Sequence, residues 1–282
     1  MKNTIIFGSG QAGQMYFRLL NPASYKILAF ADNNPLLHTK KLYDLEILSA
    51  SDAKEMNPDL FFIALNNLDA SKNIKQQLID LEVEEEKILI ADYRTHFDIR
   101  LATTKLISEE IIKRKISGAI AELGVFQGAF ASQLNRLFPD RNLYLYDTFE
   151  GFDERDITAE ALNNFSKASI SDFSQTGVDL VLSILPFPNK AIIRKGYFPE
   201  TAKDLDEKFA LVSLDPDLYL PTYEGLKFFY PRMSQGGMII IHDYNNTRFN
   251  GVKEAVSTYC NENNLFIVPL CDLHGTAVLM KS

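Results

Sequence analysis

Basic residues are in the minority in this chain. Its 282 residues include 29 Lys and Arg against 37 Asp and Glu, which gives a formal net charge of -8 at pH 7. A protein that binds nucleic acid needs a basic face to neutralise the phosphates of the backbone. The shortage of positive charge therefore excludes nucleic acid from the expected partners.

Cysteine is scarce, and long apolar runs are absent. Cys260 and Cys271 have neither metal-ligand nor C-x-x-C spacing and lie in or beside apolar segments, which indicates buried free thiols. No apolar run approaches the roughly 20 residues that a membrane span requires. Residues 1–3 lead directly into a short strand and a glycine-rich turn, unlike a signal peptide. We therefore expect a cytoplasmic protein with no membrane contact.

A strand, a glycine-rich turn and a helix open the chain. Apolar residues predict the strand, and helical spacing follows the turn. Between them Gly8, Gly10 and Gly13 form the pattern G-x-G-x-x-G, in which glycine permits a tight turn and the helix N-terminus attracts phosphate. The next strand ends at Asp32, which is suitably placed to accept from ribose hydroxyls. These features predict a Rossmann-like nucleotide site.

The rest of this stretch is long enough for only half of a dinucleotide domain. Further strands, with one polar helix among them, are predicted at residues 45–48, 60–65 and 87–91. The stretch resembles the N-terminal nucleotide-sugar-binding domains that are fused to some bacterial sugar-modifying enzymes. A second interpretation stays open, in which the glycines only shape a turn and Asp32 begins another. We predict a domain over residues 1–92, followed by a linker and a helix over residues 93–117.

A second series of strands and helices begins at residue 118. Its first strand leads into Glu122, which precedes a G-x-x-x-G turn formed by Gly124 and Gly128, and the next strand ends at Asp147. An acid followed by this turn is the donor-binding signature of class I methyltransferases. S-adenosylmethionine (SAM) is cationic, so an acid helps to hold it, the glycines let the backbone approach it, and Asp147 would accept from its ribose.

Two later strands end in polar residues that suit metal and proton chemistry. One apolar strand is followed by Asp215 and Asp217, and the other by His242 and Asp243. Parallel strands deliver such groups to one cleft at their carboxyl ends. Two adjacent carboxylates repel each other unless a cation or a proton lies between them. We therefore predict a divalent metal with a base beside it; the alternative for Asp217 is that it caps the following helix.

Five short sequence motifs resemble those of a known family. They are ELGVFQG at residues 122–128, DTFEGF at 147–152, GYFPET at 196–201, LDPDLY at 214–219 and GGMIIIHDY at 236–244. From about residue 118 to the end, the chain resembles the macrocin O-methyltransferases, bacterial enzymes that methylate sugar hydroxyls with the help of a divalent metal. The resemblance implies a seven-stranded class I methyltransferase sheet with an antiparallel last strand over residues 118–282. The whole chain is thus expected to be an α/β protein of two Rossmann-like domains.

The resemblance also assigns roles to residues. The SAM-binding set includes a contribution from the polar segment 153–176, a predicted lid, and consists of Glu122, Gly124, Phe126, Gly128, Asp147, Thr148, Ser171, Asp172 and Phe173. The implied metal ligands are Asp215, His242 and Asp243. The implied catalytic residues are Asp215, His242 and Asp217, with Asp217 as the base.

One departure from the family concerns the metal. The family often has Asp-Asp-Tyr where this chain has His242-Asp-Tyr. Mg²⁺ is the expected ion, but imidazole softens the site and makes Mn²⁺ or another transition ion a more plausible alternative. Other roles for His242 stay open, namely contact with the substrate or capping of the strand end. His274 either approaches the acceptor or faces solvent in a turn.

These inferences lead to a metal-dependent and SAM-dependent O-methyltransferase that acts on a hydroxyl of a sugar or a glycosylated metabolite. Family resemblance also suggests a homodimer. Two alternatives stay open: a non-catalytic module that binds nucleotides or nucleotide-sugars, and a methyltransferase for a small molecule other than a sugar. An NAD-dependent oxidoreductase is disfavoured because the sequence offers neither a full dinucleotide fold nor a catalytic Tyr-Lys or Cys-His set.

Overall fold

The computed structural model describes residues 1–91, 98–272 and 275–282. The chain divides into two compact units, Met1–Asp98 and Ile99–Ser282. The predicted domain end at residue 92 and the predicted acceptor contact of His274 lie outside the described residues. In the described parts of the chain, no helix combines the length and the apolar character needed to cross a membrane.

A six-stranded sheet forms the middle of the first unit. Its strands are β1 (Lys2–Phe7), β2 (Tyr25–Ala31), β3 (Lys41–Leu42), β4 (Leu45–Leu48), β5 (Leu60–Ile63) and β6 (Ile88–Ile90). They lie in the order β3-β4-β2-β1-β5-β6, and all neighbours are parallel except β3 and β4. The five predicted strands are present. The short β3 has no counterpart among them, because two residues show no periodicity.

Three helices connect these strands: α1 (Gln11–Leu19), α2 (Ala50–Glu55) and α3 (Leu68–Asp80). The first turn of α1 requires glycine at Gly13, where a Cβ atom would lie 1.8 Å from the backbone oxygen of Gly8. The short α2 is absent from the prediction. It begins after Ser49, whose hydroxyl accepts a hydrogen bond from the backbone of Asp52.

The second unit contains the predicted seven strands. They are β7 (Ala119–Leu123), β8 (Leu143–Asp147), β9 (Ala191–Lys195), β10 (Phe209–Leu214), β11 (Met233–Ile241), β12 (Val268–Pro269) and β13 (Ala277–Met280). Their order is β12-β13-β11-β10-β7-β8-β9. The predicted antiparallel last strand is confirmed: β13 runs antiparallel to both of its neighbours, and it lies between β11 and β12.

Helices cover both faces of this sheet. They are α4 (Ile99–Lys113), α5 (Ala129–Leu137), α6 (Glu154–Asn163), α7 (Val178–Ile184), α8 (Tyr219–Phe229) and α9 (Asn250–Asn263). Alternate residues of β7 face opposite ways: Leu123 packs in one apolar cluster with Leu226 and Val256, whereas Ile120 packs in another with Ile111. The sheet is therefore buried on both faces.

Helix α6 occupies a segment that the sequence analysis treats as a polar lid without a helix. Its N-terminus is capped by Asp153, whose carboxylate accepts from the backbone of Arg155. Its buried residues are Asp156 and Glu160, so the inward stripe of this helix is acidic instead of apolar. A search for apolar periodicity cannot detect such a helix.

Candidate active site

The turn after β7 is pressed against the end of β10. Gly124 has a φ of +84°, and a Cβ atom on it would lie 2.1 Å from the backbone oxygen of Asp215. Across the turn, Asp147 at the end of β8 accepts hydrogen bonds from the backbone N–H groups of Val125 (2.7 Å) and Phe126 (2.9 Å). The carboxylate of Asp147 therefore fixes the shape of the predicted donor turn.

An open cleft lies beside this turn, along the carboxyl ends of β7, β8 and β10. Five of the predicted SAM-binding residues line it, namely Gly124, Phe126, Asp147, Thr148 and Phe173. Asp215 and Asp217 line it as well, so the cleft brings the predicted donor residues and part of the acid cluster together. The remaining predicted SAM-binding residues lie outside this lining: Glu122, Gly128, Ser171 and Asp172.

The lid segment contributes an aromatic side chain to the cleft. The ring of Phe173 meets those of Phe126 and Phe152 edge to face, with centroids 5.2 and 5.3 Å away. By contrast, Asp172 pairs with Arg248 at 3.1 Å. Of the predicted trio at residues 171–173, the structure therefore brings only Phe173 into the cleft.

The three predicted metal ligands lie close together. Nδ1 of His242 is 2.8 Å from Oδ1 of Asp215 and 3.0 Å from Oδ2 of Asp243. One ligand atom from each of these residues lies within 4.8 Å of the others. Burial lowers the pKa of His242, but the Asp215 carboxylate outweighs it and raises the pKa to about 9. In this arrangement a protonated imidazole compensates the two carboxylates.

Asp217 completes the cluster in a different protonation state. Burial, together with the charges of Asp215 and Asp243, raises the pKa of Asp217 well above its ordinary value. Its carboxyl group shares a hydrogen bond with Asp243. Burial also acts on Asp243, yet the hydrogen bond from His242 holds the pKa of Asp243 below its ordinary value. Asp217 therefore carries the proton of this carboxyl pair.

The chemical types of these three side chains suit a divalent metal ion. Two carboxylates and one imidazole are suitable ligands for a first-row transition metal, and the mixed set of oxygen and nitrogen favours Mn²⁺ over Mg²⁺. To bind an ion, His242 would have to release the proton that it shares with Asp215 and Asp243.

Arg100, near the start of α4, belongs to the site although no motif indicates it. Its Nη1 donates to Oδ2 of Asp215 at 2.8 Å, and its Nη2 donates to Oγ of Ser213 at 2.8 Å. Oε1 of Glu122 lies 3.9 Å away. Burial raises the pKa of Glu122 to about 8 even though Arg100 opposes the shift. The sequence signal was slight, a single arginine in a stretch with helical apolar spacing.

Asp156 of α6 is a second residue that the sequence analysis misses. It lines the cleft and accepts a hydrogen bond from the hydroxyl of Tyr197 at 3.1 Å. Burial raises the pKa of Asp156 to about 6. Tyr197 belongs to the motif at residues 196–201, but nothing in that motif indicates a partner on a distant helix.

The predicted nucleotide residues of the first unit form a closed turn. Oδ2 of Asp32 accepts from the backbone N–H of Ser9 at 3.0 Å and from its hydroxyl at 2.6 Å. Oδ1 of Asp32 accepts from the backbone of Asn34 at 3.0 Å. No side chain fills the space at Gly10, where a Cβ atom would meet nothing within 4 Å. In this structure the carboxylate of Asp32 therefore accepts hydrogen bonds from the neighbouring turns.

A parallel sheet with an antiparallel last strand and a glycine turn after its first strand is the architecture of SAM-dependent methyltransferases. Comparison with known families identifies the group within that class. The sequence model described as "Macrocin-O-methyltransferase (TylF)" matches residues 70–282, and the chain belongs to this family of SAM-dependent O-methyltransferases. A second model, "C2185-like, N-terminal", matches residues 1–89.

Individual relatives agree with this assignment. Mycinamicin III 3''-O-methyltransferase of Micromonospora griseorubida is 29% identical over 204 residues, which cover 63% of this chain and 76% of that protein. A tetracenomycin-C 4'-O-methyltransferase of Streptomyces olivaceus, which acts on a dimethoxy-rhamnosyl form, is 25% identical over 202 residues, 64% of this chain and 72% of the relative.

Solved structures show the same fold. The O-methyltransferase NovP superimposes with a TM-score of 0.52 at 20% identity, covering 65% of this chain and 79% of NovP. The calicheamicin methyltransferase CalS11 gives a TM-score of 0.52 at 16% identity, covering 77% of this chain and 94% of CalS11. At these identities the likeness concerns the fold alone.

Proposed function

We propose that this enzyme transfers the methyl group of SAM to a hydroxyl of a sugar or a glycosylated metabolite, with a divalent metal at the acceptor. The observation that carries the proposal is the position of Asp215, which belongs to the cluster with His242 and Asp243 and also lines the cleft beside the donor turn. Relatives named for O-methylation of mycinamicin III and of a dimethoxy-rhamnosyl tetracenomycin support a sugar acceptor.

The reaction is a displacement at the methyl carbon. The acceptor oxygen forms a bond to that carbon while the bond to sulfur breaks, and S-adenosylhomocysteine leaves. A cleft that holds both partners in line supplies several kcal/mol through orientation. In this proposal Glu122 attracts the cationic end of the donor, and Asp147 accepts from its ribose while it holds the turn.

Asp215, His242 and Asp243 would hold the metal. When bound, such an ion lowers the pKa of a coordinated sugar hydroxyl. The same residues must first give up the proton on His242, and metal binding is therefore expected to strengthen as the pH rises.

Asp217 is proposed as the base that removes the hydroxyl proton. It is protonated in the free site because Asp215 and Asp243 repel a further negative charge. A cation bound by those two carboxylates would lower the pKa of Asp217 and convert it into a base. Its position on the cleft wall is compatible with that role.

A panel assay tests the proposal. The full chain is incubated with labelled SAM, Mn²⁺ or Mg²⁺, and a set of nucleotide-sugars, free glycosides and catechol-type phenols. We expect label in one of the sugar compounds and loss of transfer with a chelator. Label only in phenols would overturn the sugar acceptor, and transfer that a chelator leaves unchanged would overturn the metal.

For the first unit we propose a nucleotide or nucleotide-sugar site at the turn of Gly8, Gly10 and Gly13. The open space at Gly10 supports it, since a phosphate could approach the backbone there. Equilibrium dialysis of the full chain with nucleoside diphosphate sugars and with NAD tests the site, and binding of neither would refute it. Light scattering tests the homodimer that the family resemblance suggests.

A further inference from the structure

Arg100 is a buried cation within a group of acids. Only 11% of its side chain is exposed, and its guanidinium stacks 3.7 Å from the ring centroid of Phe130. Its two terminal nitrogens bind Asp215 and Ser213, with Glu122 close by. A buried arginine is normally fully hydrogen-bonded, because leaving a donor unpaired is costly.

Two atoms of this group depart from that rule. Nε of Arg100 and Oε2 of Glu122 are both buried and have no hydrogen-bond partner among the described residues. One is a donor on a cation and the other an acceptor on a carboxyl group. Nη2 of Arg100 lies 3.9 Å from Oε1 of Glu122, and Asp215, to which Arg100 donates, lines the cleft. A small ligand that displaces Asp215 from Arg100 would therefore reach both side chains.

The ligand that suits such a pair has an anionic and a cationic group a few ångströms apart. The amino-acid end of SAM is a zwitterion of this kind, with a carboxylate and an ammonium on one carbon atom. A carboxylate accepts two parallel hydrogen bonds from a guanidinium, and the ammonium can donate to Glu122 and Asp215. Asp215 also lines the cleft beside Gly124, where the proposed donor would lie.

We propose that Arg100 binds the carboxylate of SAM and that it moves off Asp215 when it does so. This inference rests on the proposed function. The donor exchanges one ion pair for two: its carboxylate replaces Asp215 on Arg100, and its ammonium replaces Arg100 on the acids. The charges stay balanced throughout, which a buried group of this kind requires.

The proposed movement of Arg100 also affects the cluster that Asp215 forms with His242 and Asp243. In the free enzyme, Oδ2 of Asp215 is held by Arg100 and Oδ1 by His242. When Arg100 moves to the donor carboxylate and the ammonium binds Glu122, Oδ2 of Asp215 becomes accessible to a metal. Donor binding is therefore expected to precede, and to strengthen, the binding of a divalent ion.

Decarboxylated SAM, which lacks only the carboxylate, provides the test. Calorimetric titration of the wild-type full chain should give a dissociation constant for SAM that is about 10- to 100-fold lower than for decarboxylated SAM, as expected for a charge-assisted pair. In Arg100→Met this ratio should fall below about threefold, because only the SAM affinity depends on the guanidinium. Arg100→Lys should give an intermediate ratio, since lysine keeps the charge but loses the fork.

Arg141→Met is the matched control. Arg141 also contacts a phenylalanine ring, but its guanidinium donates to a backbone oxygen, that of Gly118, whereas Arg100 donates to the carboxylate of Asp215. The ratio in this variant should equal that of the wild type. Circular dichroism and melting temperature of each variant show whether it folds, and Arg100→Lys, which keeps the charge, carries the test if Arg100→Met does not fold.

The outcomes separate the two proposals. If the wild type binds SAM and decarboxylated SAM equally well, or if Arg100→Met weakens both by the same factor, Arg100 is only a structural counter-ion and the inference is wrong. If the wild type binds neither compound, the proposed function itself fails. A Mn²⁺ affinity that S-adenosylhomocysteine leaves unchanged would contradict the release of Asp215.

Discussion

The glycine-rich turns of the two units are built alike and have different surroundings. In each, an acid at the end of the second strand bonds back to the turn: Asp32 to Ser9, and Asp147 to Val125 and Phe126. In the first unit the neighbouring strand β5 is followed by apolar residues and asparagines, whereas in the second unit β10 is followed by acids. If both turns bind a ligand, as we propose, the residues at the adjacent strand ends decide whether chemistry accompanies the binding.

Removal of Asp215 should break the second site most severely. We expect Asp215→Ala to lower kcat/KM by about 1000-fold or more, because the variant loses a proposed metal ligand that also lines the donor cleft. Asp69→Ala, an exposed acid in the first unit whose side chain is 89% accessible, is the control and should match the wild type. Methyl transfer to the acceptor found in the panel assay is measured, and residual activity above a tenth of wild type would refute the assignment.

Alanine at the two turns should affect stability unequally. Gly124→Ala places a methyl group 2.1 Å from a backbone oxygen at a φ of +84° and should lower the free energy of unfolding by about 3 kcal/mol or more. Gly10→Ala meets nothing within 4 Å, and its cost should stay within about 1 kcal/mol. Urea unfolding followed by circular dichroism measures both. Equal losses of unfolding free energy in the two variants would mean that the turn at Gly124 rearranges to accommodate the methyl group.

Two acids should give the units opposite dependences on pH. Burial raises the pKa of Asp156 to about 6 from an ordinary 3.8, so the folded second unit binds the extra proton and loses stability as the pH rises from about 4 to 6. Hydrogen bonds from Ser9 and Asn34 outweigh burial and lower the pKa of Asp32, so its contribution is present above pH 3.8 and is lost as the pH falls through the folded pKa.

Asp156→Asn tests this difference. Relative to the variant, the wild type should lose about 1–3 kcal/mol of unfolding free energy between pH 4.5 and pH 7.5. Urea unfolding at both pH values is the measurement, and Asp32→Asn should show no such loss over the same interval. A constant gap between wild type and Asp156→Asn would mean that Asp156 titrates at its ordinary pKa.

The lid should give the smallest effects. Phe173→Ala removes an aromatic wall of the cleft and should weaken SAM binding about tenfold. Asp172→Ala breaks an ion pair with Arg248 and a hydrogen bond from the backbone of Ser169, none of which belongs to the cleft lining, and its effect should stay below about threefold. Titration with SAM compares them. A larger loss of SAM affinity in Asp172→Ala would mean that Asp172 takes part in binding the donor.

Much of the second unit could be predicted because its signals are local. Buried parallel strands appear as continuous apolar runs. The donor turn and the motifs that contain Asp215 and Asp243 are each contiguous in sequence. Helix α6 was missed because its buried stripe is acidic. The side-chain directions within the lid were also beyond the sequence, since Asp172 and Phe173 are neighbours that face different surroundings.

The sequence by itself determined the two strand-turn-helix openings, the seven strands of the second sheet and the acids at the strand ends, because each depends on residues close together in the chain. Only the tertiary structure placed Arg100 on Asp215, 115 positions apart, and Asp156 against Tyr197, 41 positions apart. These contacts arise from the packing of helices α4 and α6 against strand ends that come much later in the chain. Burial raises the pKa of Asp156 and of Glu122, and no local pattern encodes burial by a distant element.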